Sequence, residues 1–221
     1  MYGNLYFPES GEGHEMNLYY IGGSPCAGKS SVAEILSQEY GLYYFKTDDF
    51  LDRYMQAGAR RGYPVCRKAV SMNAEQIWMR EPILQCRDEF DIYREIFEFV
   101  AADLKRIDWK SGIITEGTAY LPELMKKSGI LDSRYISITP TKEFQISHYR
   151  KRDFVPLVLE GCNDKERAFL NWMARDILFA EEVRRQCHKE KYVSVINDGN
   201  MDLDELAGLV ATHFGFSCLG T

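Results

Sequence analysis

The chain has 221 residues, with 33 acidic and 27 basic side chains, so its formal net charge is −6 with histidine neutral. A content of 45% hydrophobic and 27% charged residues is typical of globular proteins and excludes disordered and collagen-like chains. The acidic balance argues against duplex nucleic acid as the main partner. No apolar run reaches the roughly 18 residues that span a bilayer, so we expect no membrane association.

The N-terminal residues 1–15 contain no basic stretch followed by an apolar one, so they do not resemble a secretory leader. Their scattered glycines predict a flexible extension in front of a single domain at residues 16–221. Six cysteines are spread along the chain without a C-x-x-C pair, and we expect free thiols in a reducing cytoplasm. The four histidines show no zinc-binding spacing.

Short apolar runs alternate with helical patterns along the chain. The apolar runs predict strands at residues 17–22, 42–45, 113–115, 134–139 and 192–196. Apolar periodicity and capping residues predict helices at residues 29–39, 71–79, 82–107, 122–127, 141–152, 163–188 and 202–214. The pattern is broken over residues 50–79, and residues 153–162 are predicted as a loop. This alternation predicts an α/β fold around a parallel sheet with right-handed crossovers.

Two of the predicted helices carry apolar faces that we assign to the core. In the helix at 82–107 the face consists of Ile83, Phe90, Phe97 and Val100. In the helix at 163–188, capped by Asn163 or Asp164, it consists of Phe169, Trp172, Met173, Ile177, Ala180 and Val183.

The first predicted strand runs into a segment of the form G-x-x-x-x-G-K-[ST]. Its residues are Gly23, Ser24, Pro25, Cys26, Ala27, Gly28, Lys29 and Ser30, with Ser31 following. Glycines let backbone N–H groups approach phosphate oxygens, and the helix that follows adds the positive end of its dipole. Lys29 would reach the β- and γ-phosphates, and the Ser30 hydroxyl would bind Mg²⁺. We therefore predict an ATP or GTP site, against the alternative of a plain glycine turn beside a surface lysine.

With this motif between a strand and a helix, residues 17–214 resemble the small-molecule and nucleotide kinases of the P-loop fold. That group contains shikimate, gluconate, adenylate and uridine kinases and the chloramphenicol phosphotransferases. The resemblance implies a three-layer α/β fold with a five-stranded parallel sheet in the order 2-3-1-4-5. It also implies a substrate-binding insert at about residues 50–110, a mobile lid at about residues 150–165, Mg²⁺ with ATP or GTP, and a small-molecule acceptor.

Asp48 and Asp49 follow the second predicted strand, where the resemblance implies a carboxylate facing the transferred phosphoryl group. Asp48 would accept the proton of the acceptor hydroxyl and contribute to the metal site. Asp49 would assist at the substrate or the metal. The alternative is that either residue only caps the next helix.

The third predicted strand ends in Glu116 and Gly117, at a position that resembles the metal-directed carboxylate of these kinases, although aspartate is more common there. Glu116 would reach Mg²⁺, its water or the substrate. Gly117 would let the substrate approach the backbone. Otherwise Glu116 would only cap the following turn.

Basic residues end the helix predicted at 141–152, where the resemblance implies a lid whose arginines bind the transferring phosphoryl group. Arg150 and Arg152 are both candidates, and the sequence does not rank them. A solvated basic helix end is the alternative. After the fifth strand, the resemblance implies that Asn197 and Asp198 lie beside the adenine and contact it through their backbone, unless the N-D-G sequence is a simple turn.

Further basic residues gather in the predicted insert. They are Arg53, Arg60, Arg61, Arg67 and Lys68, with Tyr54 and Tyr63 nearby. This cluster could line an acceptor site for a phosphate or carboxylate group, with Arg53 as a substrate contact, or it could be a solvated surface.

The sequence therefore predicts an ATP-dependent phosphotransferase that acts on a hydroxyl of a small molecule. Its catalytic residues would be Lys29, Asp48, Arg150 and Arg152. Three alternatives stay open: a nucleoside or nucleotide kinase, an antibiotic-modifying kinase with an aminosugar or amphenicol acceptor, and a nucleotide-binding switch or ATPase that works with a protein partner. The acceptor is not identified, because the pattern is least clear in the insert.

Overall fold

The computed structural model describes residues 17–107 and 112–216. The strands are β1 (Leu18–Gly23), β2 (Tyr43–Lys46), β3 (Ile113–Glu116), β4 (Tyr135–Pro140) and β5 (Val193–Asn197). The helices are α1 (Lys29–Tyr40), α2 (Leu51–Arg61), α3 (Pro64–Ser71), α4 (Ala74–Trp78), α5 (Pro82–Leu104), α6 (Pro122–Lys127), α7 (Lys142–Tyr149), α8 (Val155–Val158), α9 (Lys165–Glu190) and α10 (Leu203–Phe214). The predicted extension at residues 1–15 and Cys218 lie outside the described residues.

The five strands form one parallel sheet in the order β2-β3-β1-β4-β5, as predicted. The central strand β1 pairs with β3 and β4, so that Tyr20 lies beside Thr115 on one side and Tyr135 on the other. Because all strands point the same way, their carboxyl ends meet at one edge of the sheet. Ligands of open α/β sheets bind at this edge, next to the central strand.

Helices cover both faces of the sheet, which gives three layers. Along β1, Leu18 and Tyr20 point into the core formed with α5, α6 and α9. Tyr19 and Ile21 point to the opposite face, where they pack against α1 and α10. This alternation follows from the two-residue period of a strand, and both faces are apolar because both are buried.

The segment between residues 50 and 79 differs from the prediction. It contains three helices, α2, α3 and α4, where the sequence indicated only one at residues 71–79. Gly58 does not break α2 but allows close packing against α3, because a Cβ at this position would lie 2.8 Å from the Cys66 sulfur. Pro64 begins α3, a position at which proline costs no helical hydrogen bond.

Smaller corrections concern the second half of the chain. The helix predicted at 141–152 ends at Tyr149, and the loop predicted at 153–162 contains the short helix α8. Asp164, not Asn163, caps α9, where its side chain accepts a hydrogen bond from the Arg167 backbone N–H.

The predicted apolar faces are also wrong at two positions. Ile83 is 56% exposed at the start of α5. Ile177 is only partly buried on α9, and its neighbour Asp176 is fully buried instead. The buried face of α9 therefore includes a carboxylate, which bears on the site described below.

Within residues 17–107 and 112–216, no helix combines the length and the apolar character needed to cross a membrane. In the same ranges Cys26, Cys66, Cys86, Cys162 and Cys187 are free thiols.

Candidate functional site

The glycine-rich loop, residues 23–30, connects the carboxyl end of β1 to α1. Gly23 has a φ of +126°, and a Cβ there would lie 1.8 Å from the Ile138 carbonyl oxygen of β4. The Ser24 backbone N–H donates a 3.3 Å hydrogen bond to the same oxygen. Glycine is therefore required at position 23, because the loop leaves the sheet in contact with the neighbouring strand.

The second half of the loop forms the amino end of α1. Gly28 has a φ of +89° and precedes the first helical residue, Lys29, whose buried side chain turns back and donates a 2.8 Å hydrogen bond from Nζ to the Ser24 carbonyl. Cys26 also has a positive φ, of 61°. Ser31 lies in the first turn of α1. The loop thus curls over the Lys29 ammonium group.

Asn197, at the end of β5, braces this loop from the side. Its Nδ2 donates a 3.1 Å hydrogen bond to the Ala27 carbonyl, and its Oδ1 accepts one from the Gly199 backbone N–H. Asp198 points away into an exposed turn, where its carboxylate accepts hydrogen bonds from Asn200. The side chain of Asn197 therefore supports the loop, whereas that of Asp198 stabilises the turn.

Glu116 lies directly beside the loop. The Ser30 hydroxyl donates a 2.9 Å hydrogen bond to Glu116 Oε1, and the Tyr44 hydroxyl of β2 donates a second one of 3.0 Å to the same oxygen. The other carboxylate oxygen, Oε2, is buried and has no hydrogen-bond partner within the described residues. Burial raises the pKa of Glu116, against the opposing effect of the nearby Lys29 ammonium group.

Asp48 is held next to the end of β3. Its Oδ1 accepts a 3.2 Å hydrogen bond from the Thr118 backbone N–H, and its Oδ2 accepts a 3.4 Å bond from the Thr118 hydroxyl. Thr47 donates to the Glu116 carbonyl. A Cβ on Gly117 would lie 1.7 Å from Thr47 Oγ1 and 3.1 Å from Asp48 Oδ1. Gly117 therefore makes room for these two side chains, a role that the sequence prediction did not include.

Asp49 and Arg53 point away from the loop. The Asp49 carboxylate is 61% exposed and lies 3.4 Å from the Lys46 ammonium group. Arg53 forms an ion pair with Asp103 of α5, and its guanidinium lies 4.6 Å from the centre of the Phe50 ring.

The basic cluster of the insert is largely neutralised by acidic residues of α5. Arg61 pairs with Glu98 at 2.7 Å, and Lys68 pairs with Asp88 at 2.6 Å. Arg60 and Arg67 are exposed. The cluster therefore forms the outer surface of the insert instead of converging on the glycine-rich loop.

The structure separates the two candidate arginines of the 150–165 segment. Arg150 forms a two-point ion pair with Glu166, with distances of 2.6 and 3.3 Å. Arg152 reaches the glycine-rich loop, where its Nη2 lies 3.8 Å from the Cys26 sulfur. Only Arg152 is therefore adjacent to the loop in this arrangement.

A buried charged cluster that the sequence prediction missed lies between α5 and α9. Arg175 of α9 forms an ion pair with Glu89 of α5, and its Nε lies 2.5 Å from Oδ1 of the neighbouring Asp176. The Tyr93 hydroxyl donates a 3.1 Å hydrogen bond to Glu89. A signal was available in the sequence: an Arg-Asp pair interrupts the apolar periodicity of the long helix at 163–188. Whether this Arg-Asp pair is buried, and with which partners, depends on the residues of α5 that face it.

Aromatic rings flank this charged cluster. The rings of Trp78 and Trp172 are stacked with their centres 4.6 Å apart, and Tyr149 meets Trp172 edge-on at 5.1 Å. The Arg175 guanidinium lies 5.3 Å from the centre of the Trp78 ring. Tyr149 also faces the Asp176 carboxylate. Polar and aromatic groups are thus combined on one side of the glycine-rich loop.

No protein-family model and no curated protein matches this sequence. Among solved structures, the chain is similar to a crystal structure described as a candidate kinase from Chloroflexus aurantiacus. The two share 13% sequence identity with a TM-score of 0.40, over 90% of this chain and 99% of the other.

Proposed function

We propose that this protein is a phosphotransferase that moves the γ-phosphoryl group of ATP, or of GTP in its place, to a hydroxyl group of a small molecule. The observation that carries the proposal is the glycine-rich loop between the central strand and α1. Gly23 and Gly28 have positive φ angles there, and the buried Lys29 ammonium group lies under the loop. Backbone N–H groups and a helix amino end in this arrangement suit phosphate oxygens.

The residues beside the loop suit a magnesium ion. Mg²⁺ prefers oxygen ligands and is commonly held by one or two carboxylates together with substrate phosphates. Glu116 offers a buried oxygen that has no hydrogen-bond partner among the described residues, and the Ser30 hydroxyl lies next to its other oxygen. When bound, Mg²⁺ would neutralise charge on the phosphate oxygens. Ser30 and Glu116 are the residues that would hold it.

Asp48 is suited to receive the proton of the acceptor. In the proposed transfer the acceptor oxygen bonds to the γ-phosphorus as the bond to the bridging oxygen breaks, and ADP leaves with that electron pair. The hydroxyl proton goes to the Asp48 carboxylate. Hydrogen bonds from Thr118 to both carboxylate oxygens fix the orientation of Asp48.

Two cations of the chain would stabilise the transferred group. Lys29 would exchange its bond to the Ser24 carbonyl for phosphate oxygens. Arg152 can present its planar guanidinium to the equatorial oxygens, since it already lies beside Cys26 of the loop. Arg150 is less suited to this role, because Glu166 occupies its guanidinium.

The proposal is tested by measuring nucleotide binding and ADP formation separately. Calorimetry with Mg²⁺ and a non-hydrolysable ATP analogue should show binding that Lys29→Met strongly weakens. ADP formation should rise when pools of nucleosides, nucleotides, sugar acids, amino sugars or amphenicols are added. ADP formation that no pool raises would favour an ATPase or switch instead, and absence of nucleotide binding would contradict the assignment altogether.

A further inference from the structure

Three carboxylates border the space between the glycine-rich loop and the helices α5 and α9. They are Asp48 in the turn after β2, Glu89 on α5 and Asp176 on α9, and we call them the acidic belt. Tyr93 connects them, because its hydroxyl bonds to Glu89 and it lies within electrostatic range of both Asp48 and Asp176. An acceptor that presents its hydroxyl to Asp48 would therefore meet the other two carboxylates.

The acidic belt is not fully neutralised by the protein. Arg175 pairs with both Glu89 and Asp176, so that one guanidinium serves two carboxylates. Arg80 forms an ion pair with Asp88 instead, with 2.5 Å between Arg80 Nη1 and Asp88 Oδ2. Within the part of the chain that the structure describes, the hydrogen bonds to the Asp48 carboxylate come from the uncharged groups of Thr118. Lys29 also acts on Asp176, but in the proposed function its ammonium group binds phosphate oxygens, which leaves Arg175 as the partner cation of the belt.

Asp176 is the most deeply buried carboxylate of the belt. The residue is fully buried, and within residues 17–107 and 112–216 neither of its oxygens accepts a hydrogen bond of ordinary geometry. Burial raises its pKa, although Arg175, the Tyr149 hydroxyl and the Lys29 ammonium group act in the opposite direction. Burying a carboxylate without full compensation is costly, and a charge of opposite sign would relieve the cost. A cationic ligand is the natural source of that charge.

The surrounding aromatic rings favour the same type of ligand. Trp78, Trp172 and Tyr149 pack against one another beside the belt, with the Arg175 guanidinium over the Trp78 ring. The faces of aromatic rings attract ammonium groups, as they do the Arg175 guanidinium here. The buried indole N–H of Trp172 has no hydrogen-bond partner within the described residues, so it could serve a polar group of the ligand. In contrast, Arg61 and Lys68 of the insert are paired with acidic residues on its outer surface.

We infer that the acceptor is a small molecule with a protonated amine beside its hydroxyl group, and that Glu89 and Asp176 bind the amine while Asp48 receives the hydroxyl. The inference rests on the proposed phosphotransferase function and specifies its substrate class. Asp176 is fully buried and the buried Tyr149 faces it, so the chain around Tyr149, just before the 150–165 segment, would have to move for the amine to reach the belt.

The experiment compares three matched arms of acceptors with Mg²⁺ and ATP. The first contains amino sugars and amino alcohols such as glucosamine, the second their N-acetyl derivatives, and the third sugar acids such as gluconate. We expect kcat/KM in the amine arm to exceed the other two by about tenfold or more, since hydrogen bonds to charged groups contribute this much. Quenching of tryptophan fluorescence by the amines, with a non-hydrolysable ATP analogue present, gives a second readout that does not require turnover.

Substitutions in the belt should remove the preference for the amine. Asp176→Asn and Glu89→Gln keep the side-chain shape, and each should reduce the amine preference about tenfold with nucleotide binding retained. The matched controls are Glu182→Gln on α9 and Asp91→Asn on α5, whose carboxylates pair with Arg185 and Arg94. Both controls should keep the preference. Thermal unfolding shows whether each variant is folded, and either belt variant alone suffices for the test.

The outcomes separate the inference from the proposed function. A preference for the acetylated or acidic arm, or an amine preference that survives both belt substitutions, would overturn the inference and leave the phosphotransferase in place. ADP formation that no arm raises above the acceptor-free rate would overturn the proposed function, and the inference with it.

Discussion

The Ser30 hydroxyl donates a 2.9 Å hydrogen bond to Oε1 of Glu116, although 86 positions separate the two residues in the chain. The contact exists because β1 and β3 are neighbours in the sheet, so that the loop after β1 and the last residue of β3 meet at the same edge. It joins a hydroxyl and a carboxylate of the kind that binds Mg²⁺. The proposed metal site therefore depends on the strand order.

Asp48→Asn is expected to abolish phosphoryl transfer without loss of nucleotide binding. The amide keeps the size of the side chain but cannot accept the acceptor proton. A general base contributes about 10² to 10⁴ in rate, so kcat should fall by at least 100-fold. Acceptor-stimulated ADP formation measures the loss, and calorimetry with a non-hydrolysable ATP analogue measures the binding.

The matched control for this variant is Asp52→Asn. Asp52 is an exposed carboxylate in the first turn of α2, four residues further along the chain. Its rate should equal that of the unmodified protein. An Asp48→Asn variant that turned over at a comparable rate would contradict the role given to Asp48.

Arg152→Gln and Arg150→Gln are expected to differ strongly. Arg152 lies beside the loop, so its loss should lower kcat about 100-fold, as removal of a donor to developing charge does. Arg150 is held by Glu166 at an exposed position, and its loss should change kcat by less than about threefold. Steady-state kinetics at saturating ATP distinguish the two, and the opposite ranking would assign the role to Arg150.

Tyr44→Phe should shift the acidic limb of the pH–rate profile to higher pH. Burial already raises the pKa of Glu116, and the hydrogen bond from the Tyr44 hydroxyl acts against this by stabilising the carboxylate. Without this donor the pKa rises further, so the carboxylate that we propose as a Mg²⁺ ligand would form only at higher pH. Tyr43→Phe, at a 50% exposed position on the same strand, should leave the profile unchanged. An unshifted profile for Tyr44→Phe would exclude Glu116 from the rate-determining ionisation.

Gly117→Ala should destabilise the protein and displace Asp48. The new methyl group would overlap with Thr47 Oγ1, and overpacking of this kind costs about 1–3 kcal/mol. Gly208→Ala is the control, since it lies within α10 and no atom approaches its Cβ position within 4 Å. That substitution should stabilise by about 0.5–1 kcal/mol. Thermal unfolding of both variants measures these changes in stability. An unchanged melting temperature for Gly117→Ala would contradict the close contact between Gly117 and Thr47.

Much of the fold follows from local patterns in the sequence. The alternation of apolar runs with helical periodicity predicts the five strands within one or two residues of their bounds. The signal is clearest for β1, β3 and β4, because strands buried on both faces require continuous apolar runs. The insert was predicted poorly. Gly58 and Gly62 look like breaks, but Gly58 serves the contact with Cys66, and Gly62 ends α2 in a left-handed conformation. A local pattern does not distinguish a glycine that breaks a helix from one that packs against another.

The sequence by itself determined the glycine-rich loop and placed carboxylates after the second and third strands, because the loop has particular residue types at short spacing and the strands appear as local apolar runs. The tertiary structure decided which distant groups act together: Tyr44 with Glu116, Arg152 with the loop, and Arg175 with Glu89. These pairs join elements that are far apart in the chain. Burial decides the energetic effect of such groups, because a carboxylate such as Asp176 is costly to place in the core and harmless on a surface. The packing of α9 against α5 is what buries it.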